Sequence, residues 1–135
     1  QVYAYVVKSA DHQWQVRHCP KLELLNEASK ILMQYTDFES FAKLHSDVNN
    51  FNCQIEEAYW TLENQQLIFT ITANRFLRNM VRALVGTLVD VGFEKTTLAD
   101  FKAIIESKNR QKSGMSAPAK GLFLTHIAYP TSIFI

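Results

Sequence analysis

At 135 residues, with 47% hydrophobic and 20% charged positions and a mean hydropathy of −0.10, the chain suits one folded domain with a sizeable core. It suits neither a disordered nor a membrane-spanning polypeptide. The net charge of +1 conceals an asymmetry: residues 1–72 hold five Lys/Arg against nine Asp/Glu, and residues 73–135 hold nine against four. A basic half is the footprint of a protein that meets an anion such as nucleic acid.

No secretory signal is visible at the amino end, and the chain starts at Gln1 and runs directly into a strand pattern, as a piece of something longer would. Val2 to Val7 is β-type, rich in β-branched and aromatic residues. Tyr3 and Tyr5 share one face of that strand, either as half-buried sheet residues or as rings able to stack on a base. Cys19 and Cys53 have neither metal-ligand spacing nor the density of a disulfide scaffold. Two reduced thiols of a cytoplasmic protein are expected. The histidines (His12, His18, His45, His126) are scattered, and no metal site is expected.

Pro20 opens a helical segment to about Tyr35, with Leu22, Leu25, Ala28, Leu32 and Met33 on its apolar side. Phe38-Glu39-Ser40-Phe41 reads as a short helical turn capped by Thr36 or Asp37, its phenylalanines plugging the core edge. Residues 45–52 are polar and turn-forming, hence a loop. Two strands, about Cys53–Leu62 and Gln66–Thr72, then make a hairpin through Glu63-Asn64-Gln65. Ile55, Trp60, Leu67, Phe69 and Ile71 are its expected core residues. Glu56 and Glu57 are expected to point to opposite faces and to be solvated rather than a catalytic pair.

Residues 74–92 organise the rest. Leu77, Met80, Val81, Leu84, Val85, Leu88 and Val89 recur at the spacing of one helix face. A helix through the whole stretch would gather Arg75, Arg78 and Arg82 within an arc of about 60° on the flank of that face. It would end at Gly92, as a C′ glycine. The three arginines either solvate a helix edge or face an anion, a phosphate backbone or a carboxylate; Arg82, at the rim of the apolar stripe, is where a charge needs a partner. Thr96 or Thr97 caps a further helix carrying Leu98, Phe101, Ile104 and Ile105. Lys108 to Lys120 lacks periodicity and reads as a long loop, of the kind that forms lids or binding sites. Gly121 to Tyr129 is a last strand, with Leu122 and Leu124 facing inward. The order is β-α-β-β-α-α-β, an α+β fold with a mainly antiparallel sheet and helices on one face, a split β-α-β or ferredoxin-like plan.

Arg75-Phe76-Leu77-Arg78-Asn79-Met80-Val81-Arg82, with Leu84-Val85-Gly86-Thr87-Leu88 after it, resembles the carboxy-terminal half of the TruA family of tRNA pseudouridine synthases. Tyr3-Ala-Tyr5 resembles the family's Tyr-x-Tyr strand, and Asp37-Phe38-Glu39-Ser40-Phe41 its Asp-Phe-x-x-Phe turn. Ala117-Pro118-Ala119-Lys120-Gly121-Leu122-Phe123-Leu124 resembles its Ala-Pro-Ala-x-Gly-Leu-x-Leu strand, and the match spans nearly the whole chain.

The resemblance implies an enzyme that isomerises uridine to pseudouridine in the tRNA anticodon stem-loop, at positions 38–40, with no cofactor and no metal. The family's nucleophile is an aspartate in an Arg-Thr-Asp-x-Gly-Val-His motif of the amino-terminal half, and none of the five aspartates here (Asp11, Asp37, Asp47, Asp90, Asp100) sits in one. The chain is thus expected to be a carboxy-terminal domain, inactive alone, which joins a missing amino-terminal domain and forms a homodimer when complete. Arg82 then pairs with the missing aspartate, Tyr3 stacks on the extruded base and assists proton transfer, and Leu122 walls the flipped uracil. Arg75, Arg78, Lys108, Arg110, Lys112 and Lys120 are candidate phosphate contacts. The alternative is a non-catalytic RNA-binding or dimerisation module of the same fold.

Overall fold

The computed structural model describes residues 3–9, 20–63, 66–114 and 122–126, with the side chains of 20–63 and 67–114. The fold is of the α+β class expected. In chain order it comprises β1 (Tyr3–Ser9), α1 (Leu22–Leu32), β2 (Ile55–Glu63), β3 (Gln66–Ala73), α2 (Met80–Gly92), α3 (Leu98–Ser107) and β4 (Leu122–His126), with short 3-10 turns at Glu39–Phe41 and Arg110–Lys112. The four strands pair antiparallel in the order β2-β3-β1-β4.

Alternation builds the core side of the sheet. Leu67, Phe69, Ile71 and Ala73 of β3 are buried, as are Ile55 and Trp60 of β2, and all join one cluster with the helices. Trp60 stacks on Phe69 at 4.8 Å between ring centroids, an arrangement that contributes about 0.5–1.5 kcal/mol beyond area burial. β2 is an edge strand, and α1 seals it: Trp60 N donates to Asn26 Oδ1 at 2.7 Å, while Asn26 Nδ2 donates to Trp60 O at 3.1 Å. Glu56 and Glu57 do not alternate. A bulge between Ile55 and Glu57 breaks the register and leaves both carboxylates exposed.

Leu25, Ala28 and Leu32 of α1 are buried as expected, but Met33 lies beyond the helix end and is 44% exposed. Phe38 and Phe41 are both fully buried, with Phe41 against Phe101 of α3. Thr97 is the residue that caps α3, its hydroxyl accepting from Asp100 N at 3.0 Å.

Two expectations about the 74–92 stretch are overturned. The helix starts only at Met80, because Asn79 takes a left-handed conformation (φ 66°) that α-helix cannot continue through. Arg75 and Arg78 therefore sit in the lead-in turn, and the arc of three arginines does not form. Gly92 is the last helical residue and has no positive φ; the left-handed residue past the helix end is Glu94. Gly92 is required for close approach instead. A Cβ there would lie 2.6 Å from Pro20 Cβ and 2.9 Å from Leu25 Cδ2, and its carbonyl accepts from Lys21 N at 2.9 Å.

Gly92→Ala tests this packing. Alanine in a helix interior ordinarily gains about 1 kcal/mol over glycine, whereas overpacking costs about 1–3 kcal/mol. The expected outcome is a net loss, seen as a lower urea midpoint with unchanged slope. A raised midpoint would contradict the contact.

Candidate functional site

The lead-in turn 74–79 and the loop 42–46 meet at one edge of the helical layer. Lys43 N donates to Arg78 O at 3.0 Å, and the Ser46 hydroxyl donates to the Lys43 carbonyl, closing a turn with His45 at φ 62°. Arg75 braces the other side of the turn. Its Nη1 donates to Asn50 Oδ1 at 3.1 Å, Asn50 O at 3.3 Å and Asn52 O at 3.4 Å, so this guanidinium ties the 50–52 loop to the turn.

Arg82, in the first turn of α2, is exposed, as are Arg78 and Lys43. The three cations and Asn79 line an open depression of about 490 Å³ that contains no carboxylate among its described lining residues. A neighbouring depression of about 370 Å³ shares Lys43 and is lined also by His45, Lys108 and Arg110, with Glu39 as the acidic member among its described lining residues.

The second depression is positioned by the Asp37–Phe41 segment. Asp37 Oδ1 accepts from Glu39 N at 3.1 Å, fixing the 3-10 turn, and Asp37 Oδ2 faces Lys108 Nζ at 3.5 Å. The buried Ser40 hydroxyl donates to Ile104 O at 2.6 Å and accepts from Asn109 N at 3.1 Å, locking the end of α3 against the turn. Lys108 itself is left-handed, at φ 53°. Three of the four left-handed non-glycine residues among those described (His45, Asn79 and Lys108) thus border these two depressions, and such conformations persist where surrounding structure over-determines them.

The remaining expected residues are not all brought together. Arg110 donates to Ser113 Oγ at 2.7 Å and Gly114 O at 3.1 Å, and Gly114 N donates to the buried Thr87 hydroxyl at 2.8 Å. This chain of bonds docks the segment after α3 onto α2. Nearby, burial pushes the Asp90 carboxyl above its usual range, against the attraction of Lys95. Lys112 is exposed in the second 3-10 turn. Tyr3 opens β1 opposite Ala73, and Leu122 opens β4 opposite Ser9; the side chains of both, and all of Lys120, lie outside the described residues. Lys43 was not legible as a site residue, because it follows the Asp-Phe-x-x-Phe turn with no periodicity or motif of its own.

Chemically, this rim can hold anions. Among the described residues, no three His, Cys, Asp or Glu side chains are placed to hold a metal ion, and no helix is long and apolar enough to cross a membrane. Cys53 is buried, and burial pushes its thiol up to about 11, opposed by the Arg75 charge.

Residues 29–130 match the family model described as tRNA pseudouridine synthase. The chain is similar to proteins named tRNA pseudouridine synthase A from Parabacteroides distasonis (52% identical, over 83% of this chain and 44% of the relative) and Bacteroides fragilis (48%, over 91% and 49%). A third, from Bacteroides thetaiotaomicron, is 44% identical over 99% of this chain and 53% of its own length. The chain therefore spans about half the length of the curated relatives it matches.

The Cys53 thiol gives a pH prediction. Its folded value lies above the ordinary 9.0, so the fold favours the protonated form. That contribution is fully present below about pH 9 and is lost as pH rises through about 11. At pH 8 the Cys53 peptide is expected to resist iodoacetamide in the folded protein and to be alkylated in urea. Equal rates in both states would contradict the burial.

Proposed function

The chain belongs to the tRNA pseudouridine synthase family, and from that premise we propose that it is the carboxy-terminal half of an enzyme converting uridine to pseudouridine in the tRNA anticodon stem-loop, at positions 38–40. The observation that carries the reading is Arg82, exposed on the wall of an open depression instead of folded into the core beside it.

A carboxylate brought to Arg82 by the amino-terminal half would be held ionised and oriented. The isomerisation breaks the N1–C1′ bond, turns the uracil and joins C5 to C1′. The C5 proton is released and N1 regains one. In this reading Tyr3 stacks on the extruded base and assists that proton transfer, while Leu122 gives the uracil an apolar wall. Arg78, Lys108, Arg110, Lys112 and Lys120 meet phosphates, as does Arg75 beyond its loop-bracing bonds. The complete protein acts in the cytoplasm as a homodimer, on a split β-α-β, ferredoxin-like frame, with neither cofactor nor metal. The described chain alone turns nothing over, since none of its aspartates sits in the nucleophile motif.

The test joins the chain to an aspartate-bearing amino-terminal half and follows tritium release from 5-tritiated uridine in tRNA. Arg82→Ala should lower kcat by about 100-fold or more, the scale of losing one preorganised electrostatic partner. Arg82→Lys should recover only part, because a point charge lacks the guanidinium fork. Full activity in Arg82→Ala would overturn the assignment.

A further inference from the structure

We propose that Lys43 and Arg78 together form a binding site for a backbone phosphate of the substrate RNA, beside Arg82; this rests on the synthase reading above. Among the described residues, neither Lys43 nor Arg78 has a side-chain hydrogen bond or ion pair, whereas Lys21 and Lys108 each meet a carboxylate, Glu94 and Asp37. These two charges share one depression with Arg82, and none of its described lining residues is a carboxylate. Gathering like charges raises the local positive potential, and an incoming anion relieves it.

The two stems are held in place before any ligand arrives. The bond from Lys43 N to Arg78 O joins them at the backbone, Ser46 closes the Lys43 turn, and Arg75 braces the Arg78 turn from behind. Ordering paid in advance lowers the cost of binding. The number and kind of cations point to the anion. A single carboxylate is satisfied by the fork of one arginine, which leaves Lys43 and Arg78 over in a depression of about 490 Å³. A phosphodiester is recognised well by an arginine fork together with a lysine point charge. Lys43 also belongs to the second depression, with His45 and Lys108, so a strand lying along this rim from Arg82 toward Lys108 passes over it.

The experiment is a salt series of tRNA filter binding with the complete synthase, paired with the tritium-release assay. Lys43→Gln should make the slope of log K against log salt shallower by about 0.7–0.9, the share of one phosphate contact. It should raise KM severalfold and leave kcat at saturating tRNA within about twofold of the parent. Lys43→Arg should restore the slope, and Lys102→Gln, on the exposed side of α3, should not change it. An unchanged slope in Lys43→Gln overturns the proposal. So does a loss of kcat with KM intact, or a weakened hold between the two halves in place of weakened tRNA binding, which would make the anion a carboxylate of the partner half. If the parent protein releases no tritium, the synthase reading itself fails; an active parent with an unaltered Lys43→Gln slope sinks the phosphate site alone.

Discussion

The backbone reversal at Asn79 is the constraint on which the site depends. Apolar periodicity from Leu77 to Val89 would allow a helix to run straight out of β3. That helix would carry Arg75, Arg78 and Arg82 on one flank of the core. Instead, a left-handed Asn79 stops the helix at Met80 and turns the preceding residues aside. Asparagine tolerates this conformation better than most side chains. The three arginines separate by role as a result: Arg75 braces a loop, while Arg78 and Arg82 face an opening.

Small polar residues hold the rest of the rim. Asp37 fixes the 3-10 turn and meets Lys108, and the buried Ser40 hydroxyl bonds both the end of α3 and Asn109. The bonds to Glu39 N, Ile104 O and Asn109 N engage backbone groups at a turn and a helix end, and the Asp37 carboxylate also meets the Lys108 side chain. The same bonds place the cations. The Asp-Phe-x-x-Phe stretch is therefore a joint: its phenylalanines fill the core, and its polar residues set the angle of the loops that carry charge.

What could be read from the chain beforehand was whatever rests on local pattern. The β2–β3 hairpin and its five core residues, the buried face of α1, and the Thr97 cap all follow from period, turn chemistry and capping. The misreadings share another origin. Gly92 has the sequence signature of a helix terminator, but its reason for being glycine is the contact with Pro20 and Leu25, which no neighbouring residue announces. Glu56 and Glu57 are solvated as expected, but they do not alternate, because of a bulge that simple alternation does not show. Lys43 enters the site only because a backbone bond to Arg78, far along the chain, brings two loops together. The family resemblance was legible because Met-Val-Arg and the motifs around it are contiguous in sequence; the cationic depression was not, because it is assembled from two separate segments.

The central claim is that the Asn79 turn, rather than a continuous helix, aims the arginines. It is tested most directly by comparing Asn79→Gly with Asn79→Val in the complete protein, measuring tritium release and tRNA affinity on folded material. Glycine takes the left-handed conformation freely and a β-branched side chain resists it. Asn79→Gly should keep activity near the parent, and Asn79→Val should lose about tenfold or more in kcat/KM, the effect of roughly 1.4 kcal/mol of misplacement. Equal activity in the two variants would mean that the left-handed turn is not what positions Arg78 and Arg82.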